Sequence, residues 1–134
     1  MPFSPASSRT PVSSVSPQED YRAPVGEEDR TKAGLAVHLV AARTGALPDR
    51  MAARGRLDPL SSRARWLAMY LSHIAFGWTL ERVGHVFGMN RTTVSAACRW
   101  VEDERDSRAI DDLLEQLEAC IAGLYDAPRW EMPQ

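Results

Sequence analysis

A chain of 134 residues, 44% hydrophobic and 25% charged, has room for one domain with a modest core plus tails. Its net charge of -2 hides a segregation: residues 1–29 hold two Arg against five acids, and residues 101–134 three Arg against ten. Residues 30–100 hold eleven Lys and Arg against Asp49, Asp58 and Glu81, the footprint of a polyanion-binding surface. No signal-peptide core and no run of 18 apolar residues occurs, which excludes a membrane span and predicts a cytoplasmic protein. Every basic residue except Lys32 is Arg, which suits bidentate contacts to phosphate and guanine.

Residues 1–29 are rich in Ser and Pro and end in Glu27-Glu28-Asp29, a composition that predicts a disordered tail. A helix is expected over 30–44, with Leu35, Val37, Leu39 and Val40 among small residues and Gly45 as its stop. Pro48 fits the first turn of a short helix starting near Leu47. The stretch 51–65 follows with Arg54, Arg56, Arg63 and Arg65 against Asp58 alone. Asp58-Pro59 or Ser61 starts the next helix, about 60–76, which should bury Leu67, Tyr70, Leu71 and Ile74. Arg63 and Arg65 near its start oppose the helix dipole, an arrangement that suits an arriving phosphate.

Residues 79–99 carry the chemistry. Val83, Val86 and Phe87 form one inward stripe, and Val94, Ala97, Cys98 and Val101 a second, both at helical spacing. Gly88 between them suits a left-handed turn, and Asn90 is a good N-cap. Gly84 lacks the side chain that would hold crossing helices apart. Together these describe a helix-turn-helix, whose second helix enters the DNA major groove. Arg91, Thr92, Ser95 and Arg99 on its outer face offer hydrogen-bond donors to base edges and phosphates, and Ala96 lets a groove wall approach.

Ser107 caps a last helix with the stripe Ile110, Leu113, Leu114, Leu117, Ile121 and Leu124. This stripe should close the bundle, and its near-heptad spacing over 107–124 also permits a dimer seam. Its acidic face, with Asp111, Asp112, Glu115 and Glu118, belongs away from DNA. Residues 126–134 read as a frayed tail. Cys98 and Cys120 are expected to be small buried hydrophobes. His38, His73 and His85 lie on three separate helices with no ligand at i+4, so no metal site is expected.

The segment SSRARWLAMYLSHIAFGWTLERVGHVFGMNRTTVSAACRWVE resembles the DNA-binding C-terminal domain of the bacterial replication initiator DnaA. The family pattern appears here as Arg65-Trp66-Leu67-Ala68-Met69-Tyr70-Leu71, as Leu80 to Gly88, and as Thr92-Thr93-Val94. The resemblance covers roughly 32–124 and implies a helical domain with its helix-turn-helix in the major groove and its basic loop in the adjacent minor groove. By position it gives Asn90, Arg91, Thr92 and Thr93 the base and phosphate contacts, Arg56 or Arg54 the minor groove, and Arg65 a phosphate. The chain departs from the family in having Gly88-Met89-Asn90-Arg91 where Gly-Gly-Arg-Asp-His is usual, which favours guanine at Arg91. It also has Leu57 near an expected Arg, and no G-x-x-x-x-G-K-[ST].

The expectation is therefore an all-α protein: a tail over 1–29, a compact helix-turn-helix bundle over 30–125, and a tail over 126–134. Double-stranded DNA is the expected partner, held by Arg54, Arg56, Arg63, Arg65, Asn90, Arg91, Thr92, Thr93, Ser95 and Arg99. No enzymatic activity, cofactor, nucleotide or membrane is expected. The alternative is an interaction module that keeps the fold without binding DNA.

Overall fold

The computed structural model describes residues 21–53 and 55–134. They form six helices: α1 (Glu27–Thr44), α2 (Pro48–Ala52), α3 (Pro59–Ala75), α4 (Leu80–Phe87), α5 (Arg91–Glu104) and α6 (Arg108–Tyr125). No strand occurs among the described residues, and the chain forms the expected all-α bundle.

α3 is the axis on which the other five helices pack. Leu67, Ala68, Met69, Tyr70, Leu71 and Ser72 are buried in succession, the signature of a helix covered on every side. The Ser72 hydroxyl is satisfied by donating to the Ala68 carbonyl at 2.9 Å. One core cluster joins α1, α3, α5 and α6 through Val40, Leu71, Val101, Leu114 and Ile121. A smaller one, with Met69, Trp78, Val83, Val94 and Ala97, seats the α4–α5 pair. Ile74 is 41% exposed, not buried as expected, because the end of α3 packs through Ala75 and Phe76 instead.

The buried face of α1 is Ala33, Ala36, Val40 and Ala41, while Leu35, Val37 and Leu39 are only partly covered. Small residues on that face let α1 lie close against α3.

The N-terminal side departs from expectation. α1 starts at Glu27, so the acidic run expected in a tail is its first turn, where carboxylates suit the helix dipole. Asp29 takes both Nε and Nη2 of Arg82, at 3.1 and 2.7 Å, tying α1 to α4. Tyr21 lies against the His85 ring at 5.3 Å, and His85 Nε2 donates to the Ala23 carbonyl at 2.7 Å. Residues 21–29 are thus fastened to α4; residues 1–20 lie outside the described part of the chain.

In α6, Leu114, Leu117 and Ile121 are buried within the chain. Cys120 is exposed rather than buried, since it precedes Ile121 by one residue and so points about 100° away from the stripe. Leu124 is 57% exposed beyond the last covered turn. Residues 126–134 carry neither helix nor strand and are exposed. No described helix is long and apolar enough to cross a membrane.

Candidate nucleic-acid interface

The α4–α5 unit is built from local signals that agree with one another. Thr79 caps α4, its hydroxyl oxygen accepting the Arg82 N–H at 3.1 Å. α4 ends at Gly88, whose φ of +71° is the left-handed conformation. The Met89 N–H then reaches back to the Gly84 carbonyl at 2.8 Å. A side chain on Gly84 would overlap the Met89 carbonyl oxygen. The close approach expected between two helices is therefore made by the turn backbone. Asn90 caps α5, with Oδ1 accepting the Thr93 N–H at 2.8 Å.

The face of α5 turned away from the core presents Asn90, Arg91, Thr92, Ala96 and Arg99 exposed, with Thr93 and Ser95 half-buried. Arg99 Nη1 lies 3.4 Å from Ser95 Oγ. Thr92, Thr93 and Ala96 share a shallow cleft of about 270 Å³ with Trp66 of α3. Trp66 in turn stands edge-on to Trp100 at 5.3 Å, bracing α5 on α3. Arg91 is not isolated: its Nε donates to Glu81 Oε2 at 2.9 Å, both side chains being largely exposed.

The loop between α2 and α3 approaches the same end of the molecule. Asp58 caps α3, accepting from the Ser61 hydroxyl at 2.8 Å and the Ser61 N–H at 3.1 Å. Those two bonds, with Arg50 adding to them, hold its carboxyl down at about 2. Ala53, Gly55 and Arg65 line one groove of about 710 Å³ together with Gly88 and Met89 of the turn. Arg56 and Arg63 are exposed. Arg54 lies outside the described residues. Arg65 also has a structural role: its Nη1 lies 3.3 Å from the Ala53 carbonyl and 3.4 Å from that of Met51, fastening the loop to α3. Its Nε is buried without a partner, and burial lowers its pKa.

The far end of α5 is anchored. Arg105 Nε donates to Asp111 at 2.7 Å, and its Nη1 to Glu118 at 2.9 Å and to the Tyr70 hydroxyl at 3.1 Å. Tyr70 donates to Glu102 at 2.5 Å. Burial raises the Tyr70 pKa, and the bond to Glu102 adds to it. Burial opposes the Arg105 charge, but its bonds to Asp111, Tyr70 and Glu118 outweigh that and hold it protonated. Neither this network nor the Glu81–Arg91 pair carries a spacing signal, because each joins helices through the fold.

The histidines each bond a backbone carbonyl, His38 that of Gly34 and His73 that of Trp78, at 2.8 and 2.6 Å. Among the described residues, carboxylates with ligand-like spacing occur at Asp111, Asp112 and Glu115 on α6, and Asp111 already binds Arg105.

No protein-family profile matches the chain. No curated protein matches it either. A solved structure of a DNA replication initiation factor does, with a TM-score of 0.61 and 28% identity over 70% of this chain. The match spans 29% of that protein's length. The helices described above are therefore arranged in a DnaA-like fold, similar to part of that initiation factor.

Proposed function

We propose that this protein binds double-stranded DNA in a sequence-specific way, in the control of replication or transcription, without catalysis, cofactor or nucleotide. The observation that carries the reading is the start of α5: a capped helix end presenting Asn90, Arg91, Thr92 and Arg99 outward, with Ala96 keeping the face shallow. Likeness to a DNA replication initiation factor supports it. In this reading Arg91, Thr92, Thr93, Ser95 and Arg99 meet the major groove, with Asn90 at its edge. Arg54, Arg56 and Arg63 meet phosphate or the minor groove. Arg65 joins them on phosphate and also holds the loop in place.

The test is fluorescence anisotropy with a random duplex and with a duplex obtained by in vitro selection, each at two salt concentrations. Binding that weakens steeply with salt is expected, together with a clear preference for the selected duplex. Arg91→Ala should cost about 1–3 kcal/mol on the selected duplex and relax one base position. Signal that stays flat even at low salt would overturn the reading in favour of an interaction module.

A further inference from the structure

We infer that Glu81 is a specificity-determining residue: it holds Arg91 side-on so that the end of its guanidinium is aimed at a base edge, and it penalises binding to phosphate alone. The inference rests on the DNA-binding reading above. Glu81 is the one acid between Thr79 and Val101, so it places a negative charge on the surface that would face a polyanion. Yet it stands beside the first residue of α5, where a cation meets the positive end of the helix dipole and gains from a counter-charge.

The contact is made through Arg91 Nε, 2.9 Å from Glu81 Oε2. Arginine has five N–H donors. Holding the one on Nε leaves Nη1 and Nη2 as the end-on fork that fits guanine O6 and N7. Glu81 is itself anchored in the first turn of α4, which Thr79 caps and the Gly84–Met89 contact locks against the start of α5. The carboxylate thus restricts a side chain that would otherwise sample many rotamers before it reached a base. A phosphate on the same fork brings a second negative charge toward that carboxylate, whereas a guanine edge is uncharged.

Two effects of opposite sign follow for Glu81→Gln, which keeps the shape and removes the charge. Affinity for random duplex should rise, about twofold to fivefold, as a repelling charge is lost. The ratio of selected to random binding should fall by about fivefold or more, the low end of what one bidentate base contact is worth. In an Arg91→Ala background the same substitution should leave the ratio unchanged. Thermal unfolding should hardly move, because the pair is exposed.

A purely electrostatic Glu81 would raise both affinities equally and keep the ratio, which overturns the inference while leaving DNA binding intact. A fall in the ratio that persists with Arg91 already removed also overturns it. Failure of the wild-type protein to bind either duplex removes the reading beneath it, and the inference with it.

Discussion

The two ends of α5 treat arginine in opposite ways. At the start, Arg91 sits 60% exposed on a single contact to Glu81. At the finish, the Arg105 side chain is 18% exposed and bonds Asp111, Glu118 and Tyr70. An exposed ion pair contributes at most about 1 kcal/mol and can be exchanged for another partner. A covered guanidinium with several bonds gives them all up at once if it leaves. One helix is thus fixed at its end and carries an exchangeable cation at its beginning, the division that the proposed insertion into a groove would need.

The comparison breaks most severely at Gly84. Gly84→Ala should destabilise by about 3 kcal/mol, because the new methyl overlaps the Met89 carbonyl and the backbone must move. Urea titration would show it, and a loss under about 1 kcal/mol would mean the turn is not rigid. Next comes Arg105→Ala, expected to cost about 2 kcal/mol. That is less than a fully buried pair because Asp111 and Glu118 keep some solvent contact. Arg91→Ala in the same titration should stay within about 0.5 kcal/mol. Equal costs at the two arginines would erase the contrast.

The finest probe is Cys98, on α5 between the two ends. Burial, aided by the nearby Glu102 charge, pushes its thiol up to about 11. A thiol reagent at pH 8 should therefore react with the exposed Cys120 promptly and with the half-buried Cys98 far more slowly. Arg105→Ala should speed the Cys98 reaction, and Arg91→Ala should not.

What could be read beforehand follows from the range of each interaction. Gly88 and Asn90 are legible because caps and left-handed turns act within four residues. The stripes of α4, α5 and α6 are legible because apolar burial repeats with the helix. The face of α1 was hidden because alanine contrasts little with its surroundings, and its packing shows only against α3. Asp29 read as part of a tail because its partner, Arg82, is 53 residues away. The hold of Arg65 on the Met51 and Ala53 carbonyls was hidden because nothing local shows that they curl back to it.

The amino-acid sequence by itself determined the helices, the caps around the α4–α5 turn and the cationic start of α5, since these rest on backbone geometry and periodicity within a turn or two. Only the tertiary structure decided which charges are spent and which are available. Arg82 and Arg105 are committed to partners brought in by the fold, and Glu81 is set beside Arg91 across the turn. Formal charge is a property of the residue, but its availability depends on what chain packing places within hydrogen-bond reach.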